Sequence, residues 1–284
     1  MLTNTQWDQI AELEQICNHH DGIHLKLNWD MLKARRPDQK DDYFVIRDEH
    51  IVGFLGLYCF GKKIEVCGMV HPDYRRQGLF SSMLEQALPR ERREGLEEIL
   101  LNAPANSISA KGLLQSLDVQ FAFSEYQMTY LGDNEKPPKY VPGSPSAHLR
   151  PAIRSDRADL IRLDEVCFDY SKYAAEQYYE ATLDAPDSVT YIIEAGDRTA
   201  GKVRLVYEDE ISWIYGLAIY PEYRRQGIAR QVLQQLLEQE TLSGHGIRLE
   251  VALNNPAAMK LYQSVGFQVT EVQDYYRYGS FLPR

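Results

Sequence analysis

Apolar residues recur at helical spacing near the start of the chain, where Trp7, Ile10, Leu13 and Ile16 mark one side of residues 5–19. Asp21-Gly22 ends that pattern. A second short helical stretch over 29–34 stops before Pro37, which has no backbone N–H to continue a helix. Three strand-like runs follow at 43–47, 51–60 and 64–70, separated by Asp48-Glu49-His50 and Gly61-Lys62-Lys63, and predict an antiparallel meander. Leu79, Phe80, Met83, Leu84, Ala87 and Leu88 then repeat with helical period until Pro89 closes the run. A strand at 98–101, a helix near 107–117 and two strands at 119–123 and 126–131 complete the first half.

The second half repeats this order with one strand added in front, at 148–153. Helices are expected at 156–168, where Ser155 offers a cap, and at 171–183; strands at 189–194, 199–207 and 211–220 form the second meander. Ile228, Val232, Leu233, Leu236 and Leu237 mark the next helix. A strand at 247–253, a helix at 256–265 and strands at 267–272 and 275–278 follow. Between the halves, residues 132–147 hold four prolines and two glycines with no apolar period, so they read as a linker between domains at 1–131 and 148–284. Each half is mixed α and β around one sheet.

Composition narrows the class. The chain has 284 residues, 44% hydrophobic and 25% charged, long enough for two domains with separate cores. No apolar run reaches the roughly 20 residues of a membrane span, and the N-terminus has neither the basic start nor the apolar core of a signal peptide, so the cytoplasm is the expected compartment. The formal charge of −10 is shared evenly: residues 1–147 hold 16 Lys+Arg against 21 Asp+Glu, and residues 148–284 hold 15 against 20. Neither half is a nucleic-acid platform, while the acidic balance suits either a cationic partner or simple solubility. Four cysteines without CxxC spacing read as buried thiols. His19, His20 and His24 straddle a helix end without metal-ligand spacing, so no metal site is expected.

One stretch occurs twice. Tyr220-Pro221-Glu222-Tyr223-Arg224-Arg225-Gln226-Gly227-Ile228-Ala229 matches His71-Pro72-Asp73-Tyr74-Arg75-Arg76-Gln77-Gly78-Leu79-Phe80, each wedged between a strand and an amphipathic helix, 149 positions apart. A strand that breaks into a turn and then a helix presents unpaired N–H groups at the positive end of the helix dipole, a natural seat for phosphate. Gly227 lets the backbone come close, Ala229 keeps the next position small, and Arg224 and Arg225 add positive charge. No Walker or triple-glycine Rossmann pattern is present. The strand followed by Pro, Tyr and Arg-x-x-Gly-x-Ala resembles motif A of the GNAT superfamily of N-acetyltransferases. A second stretch, Leu249 to Phe267 with Asn255-Pro256-Ala257-Ala258, Leu261-Tyr262 and Gly266-Phe267, resembles that superfamily's other motif. The resemblance covers both halves and implies two tandem GNAT domains, each a mostly antiparallel twisted sheet flanked by helices.

The resemblance further implies an acetyl-coenzyme A-dependent transfer to a primary amine by direct attack, in residues 148–284. The backbone of Leu217, Ala218 and Ile219 would hold the pantetheine, with an N–H near Leu217 polarising the thioester carbonyl. Arg224, Arg225, Gln226, Gly227, Ile228 and Ala229 would take the pyrophosphate, Asn255 the cofactor arm or the adjoining strand end, and Tyr262 would protonate the departing thiolate. The 211–216 segment has no carboxylate for a base, which leaves Glu208, Asp209, Glu210 or a water relay. In the first half Leu114, Asp118 and Ser107 stand at the positions of Tyr262, Gly266 and Asn255, and Phe80 replaces the small Ala229. That half is expected to be a degenerate copy serving the cleft or the fold, with coenzyme binding at 75–78 left open. Tyr170, Tyr173, Tyr178 and Tyr179 either line the acceptor pocket, where aromatic faces suit a cation, or pack. The acceptor is a small-molecule or peptide amine, and a monomer or a homodimer would serve. The other readings are a non-catalytic acyl-coenzyme A sensor or scaffold, and a tandem enzyme like mycothiol synthase.

Overall fold

Helix α1 (Asn4–Asp21) begins where Thr3 and Gln6 exchange side-chain and backbone bonds in a capping box, and it ends at Gly22 in the left-handed conformation. The computed structural model describes residues 2–33, 35, 39–132, 146–183, 185–208 and 210–279. Most of the 132–147 linker, and Asp209, lie outside them. After α1 come α2 (Trp29–Lys33), β1 (Asp42–Arg47), β2 (His50–Phe60), β3 (Lys63–Val70), α3 (Leu79–Ala87), α4 (Arg90–Arg93), β4 (Glu98–Pro104), α5 (Ile108–Leu114) and β5 (Val119–Tyr130). The rest of the chain supplies β6 (Ala147–Pro151), α6 (Arg157–Phe168), α7 (Lys172–Thr182), β7 (Ser188–Ala195), β8 (Arg198–Glu208), β9 (Ile211–Ile219), α8 (Ile228–Leu242), β10 (Gly246–Ala252), α9 (Pro256–Gln263) and β11 (Phe267–Tyr278).

The two compact units do not simply follow the two halves of the chain. The first contains residues 1–125 and 271–284, the second 126–270. In the first, the order is β1-β2-β3-β4, then the 271–278 part of β11, then the 119–125 part of β5. β3 and β4 run parallel from Lys63↔Glu98 to Val66↔Leu101, and β11 pairs antiparallel with β4 from Gln273↔Pro104 to Arg277↔Leu100. In the second, the order is β6-β7-β8-β9-β10, then residues 126–130 and 267–270. β9 and β10 are its parallel pair.

Sequence periodicity predicts two strands at each of 119–131 and 267–278; the structure has one long strand at each place. The polar residues that resemble breaks are satisfied inside the first unit. Ser124 Oγ donates to Asp274 Oδ1 at 2.6 Å, and Glu125 accepts from the Tyr275 hydroxyl at 2.8 Å and from Lys26 Nζ at 3.1 Å. Each unit has its own core. Leu55, Leu57, Met83, Leu84 and Leu101 fill part of the first, and Val203, Leu205, Val232, Leu236 and Phe267 part of the second. No helix among the described residues is long and apolar enough to cross a membrane.

Candidate active site

Both copies of the repeated stretch take the same backbone path. A 3₁₀ turn at Pro221–Tyr223 follows β9, Arg225 sits at φ 63°, and Gly227 at φ 80° starts α8 without a side-chain cap. In the first unit the values are 63° at Arg76 and 77° at Gly78. The first-turn N–H groups of α8 have no side chain capping them among the described residues. That uncapped end beside exposed Arg225 fits a pyrophosphate.

The first arginine of each copy has a different task. Arg224 Nε donates to the carbonyl of Ile219 at 2.8 Å, and Arg75 Nε to that of Val70 at 2.9 Å, so each pins its loop to the strand it leaves. The same carbonyls accept weak bonds from Cys167 Sγ and Cys17 Sγ, both at 3.5 Å. Composition leaves these thiols as anonymous core residues, yet their spacing of 150 almost equals the repeat of 149. Gln226 Nε2 is also turned back, onto the Glu222 carbonyl at 2.7 Å.

The units differ in the strand before the loop. β9 shifts register against β8 between Lys202↔Ala218 and Arg204↔Tyr215, so Gly216 and Leu217 together face Val203. This is a β-bulge, and Gly216 at φ 58° supplies the left-handed residue it needs. A bulge leaves backbone groups outside the ladder, aimed away from it. Pairing of β9 with β10 ends at Ile214↔Leu249, although both strands continue, so the two splay beyond the bulge. β3 also parts from β4, but its pairing with β2 is unbroken from Phe60↔Lys63 to Gly53↔Val70. The first unit has the gap without the bulge. Phe80 packs its ring inward: a Cβ on Gly68 would lie 3.0 Å from it. Leu217 and Ala229 reverse that pairing of small and large in the second unit.

Asn255 caps α9, its Oδ1 accepting from the Ala258 N–H at 3.1 Å, while its amide nitrogen has no partner among the described residues. Ser107 caps α5 in the same manner. Tyr262 is 8% exposed, in one core cluster with Ile219 and Ile228, with Leu217 and Ala229 packed against it. Its ring meets Phe267 edge-on at 6.0 Å, and its hydroxyl has no hydrogen-bond partner among the described residues. Burial alone pushes that phenol up to about 12, so it stays protonated at neutral pH. Leu114, at the corresponding place, is simply buried. Gly266, at φ 102°, must be glycine, because a Cβ would come within 2.8 Å of the Tyr130 ring.

Glu210 is not brought to this place. It precedes β9 by one residue, about 20 Å of extended chain from the bulge. A set that sequence reasoning misses lies nearer. Asp164 of α6, Lys202 and Arg204 of β8 and Tyr178 of α7 line a cavity that includes Gly216. Burial draws Lys202 down and Asp164 up from their ordinary values, against their mutual attraction. The tyrosine faces that suggest a cationic acceptor already hold the protein's own cations. Lys202 Nζ lies 5.3 Å from the Tyr178 ring and Arg157 lies 5.4 Å from that of Tyr179. The signal for Asp164 is its place on the apolar stripe of Leu160 and Ile161.

The model of the acetyltransferase (GNAT) family matches residues 157–267, and that of an acetyltransferase (GNAT) domain matches residues 39–118. Mycothiol acetyltransferase of Mycolicibacterium smegmatis is 22% identical over 97% of this chain and 96% of its own length. Ribosomal protein bS18-alanine N-acetyltransferase of Escherichia coli is 34% identical over 89 residues, which is 30% of this chain and 58% of that protein. Among solved structures, a GCN5-related N-acetyltransferase from Sphaerobacter thermophilus shares the fold at a TM-score of 0.75 and 17% identity, over 95% of this chain and 91% of that one. A tandem GNAT protein of the clavulanic acid biosynthesis pathway does so at 0.72 and 13%, over 98% and 95%. With the motif loop built twice and a GNAT match in each half, the chain belongs to the GNAT acetyltransferase family as a tandem member.

Proposed function

We propose that the second unit is the catalytic one, transferring the acetyl group of acetyl-coenzyme A to a primary amine of a small molecule or peptide by direct attack. The observation that carries this reading is the Gly216 bulge, present in β9 and absent from β3. Acetyl-coenzyme A supplies the activated acyl group. Leu217, Ala218 and Ile219 offer backbone groups to its pantetheine, and an N–H at the bulge donates to the carbonyl oxygen as negative charge develops there. The backbone N–H groups of Gln226, Gly227, Ile228 and Ala229, with Arg225, receive the pyrophosphate; Arg224 keeps the loop in place. Asn255 Nδ2 is free for the cofactor arm.

Tyr262 faces a limit set by its own burial. Full transfer of a proton from a phenol near 12 to a thiolate of ordinary pKa near 8.5 is uphill by about 5 kcal/mol. Tyr262 therefore donates a hydrogen bond to the sulfur as charge grows, and the proton shed by the amine is the one that finally neutralises it. The first unit has Leu114 at that place and an unbroken β3, and serves the fold.

Acetyl transfer to an amine panel, with calorimetric titration of acetyl-coenzyme A, tests this. Tyr262→Phe is expected to lower kcat about 100-fold with binding unchanged, at one coenzyme per chain. Binding with no transfer to any amine would establish the sensor reading instead. A mycothiol-type acceptor is the second reading, supported by the end-to-end likeness to the Mycolicibacterium smegmatis protein.

A further inference from the structure

Alternation along β8 sends Val203 and Leu205 into one core and Lys202 and Arg204 to the opposite face. On that face Lys202 Nζ donates to Asp164 Oδ1 at 2.6 Å, with the two residues 5% and 2% exposed. The other carboxylate oxygen, Asp164 Oδ2, is buried with no hydrogen-bond partner among the described residues, and so is Arg204 Nε. The Arg204 guanidinium lies 5.8 Å from the Tyr178 ring and 5.4 Å from that of Tyr215. All three charged residues line the cavity that reaches Gly216, which has about 40 Å³ of room. That holds about three waters, or an amino group with the few atoms next to it.

A buried polar atom without a partner is rare in a folded protein, and here an acceptor and a donor are both left open around one small cavity. Lys202 and Asp164 cancel in charge, and Arg204 leaves the wall net positive. Such a wall disfavours a polycation and suits an amine that carries an oxygen anion or carbonyl close by.

We propose that this cavity is the acceptor site: Asp164 Oδ2 receives the attacking amino group and Arg204 an oxygen of the carboxylate or amide carbonyl on the next carbon. The acceptor is then an amino acid or the first residue of a peptide. The inference rests on the second unit being catalytic. In the reaction the amine nitrogen bonds to the thioester carbon while the carbon–sulfur bond breaks with its electron pair on sulfur. The proton shed by nitrogen passes to Asp164 Oδ2 and ends on the sulfur, giving amide and thiol. Burial, which favours the neutral form of both Asp164 and Lys202, helps the carboxylate take that proton; Arg204, Cys167 and Tyr170 are the other titratable groups that act on the pair.

The test measures transfer by the full chain to alanine, an alanine-headed tripeptide amide, ethylamine, spermidine and glucosamine. Expected is a kcat/KM for alanine or the tripeptide at least 100-fold above that for the other three, and the better of the two identifies the source of the shared head group. Arg204→Gln should shrink that preference at least tenfold, mainly through KM. Asp164→Asn should lower kcat at least 100-fold with acetyl-coenzyme A affinity unchanged. Because the single change leaves Lys202 unpaired, the Asp164→Asn/Lys202→Met pair is measured as well and should be equally slow. Ethylamine, spermidine or glucosamine matching alanine, a preference unmoved by Arg204→Gln, or normal kcat in the double variant would each overturn the proposal. Transfer to none of the five is a separate result: it removes the enzyme reading and this one with it.

Discussion

Glu14 stands three residues before Cys17, and Asp164 three before Cys167, so a half-buried and a buried carboxylate occupy matching positions on the first long helix of each unit. Their partners differ. Asp164 meets Lys202, whereas Phe54 holds the Lys202 register position in β2, and among the described residues Glu14 accepts from Trp29 Nε1 alone, at 2.8 Å. Burial accordingly pushes Glu14 up to about 7 from 4.5. Below 4.5 both folded and unfolded states carry the proton; between 4.5 and 7 only the folded state does. Stability therefore falls as pH rises through that window, by roughly 3 kcal/mol in all, and stays lower above it. Glu14→Gln keeps an acceptor for Trp29 and removes the charge. Urea unfolding should find the variant more stable than the parent by about 1–3 kcal/mol at pH 8 and nearly equal at pH 4.5; an equal difference at both pH values would refute the assignment. The turn of the repeated loop was legible in the sequence because it forms within a few neighbouring residues. Asp164 was not, because nothing along the chain says that Lys202 lies across from it.

At the scale of elements, periodicity gives α1, α3, α6 and α8 and both meanders, since a single covered face is enough to set each pattern. It fails where a strand continues through polar residues, as in β5 and β11, and where a strand bends. Gly216 inside an apolar run carries a faint signal of a bulge, yet the register shift that makes it one depends on β8. Gly216→Val tests the element. A branched side chain at φ 58° costs about 1–2 kcal/mol, so a modest drop in melting temperature is expected. Transfer should fall at least 100-fold if the bulge amide meets the thioester oxygen as proposed, because the new side chain displaces it. Near-normal transfer in this variant would mean that the bulge has no part in the chemistry.

For the whole molecule, the sequence places a domain at 148–284, whereas the second compact unit runs from 126 to 270. A fragment of residues 148–284 lacks Met128, fully buried in the second core, and retains 271–278, whose β4 partners it has lost. Thermal unfolding of that fragment, followed by circular dichroism, should show no cooperative transition while the full chain shows one. A cooperative fragment with full transfer activity would refute this. The sequence by itself determined the duplication, the helices, the turn that opens α8 and the placement of Tyr262 on its helix, because these are written in stretches of a dozen or so residues. Tertiary structure alone decided three further things. It made Arg224 a strut, it gave the bulge to one copy only, and it buried Lys202, which alternation along β8 would leave to solvent. The reason is physical: whether a polar face meets water or a carboxylate depends on the helix that covers it, and α6 approaches β8 from 38 residues away.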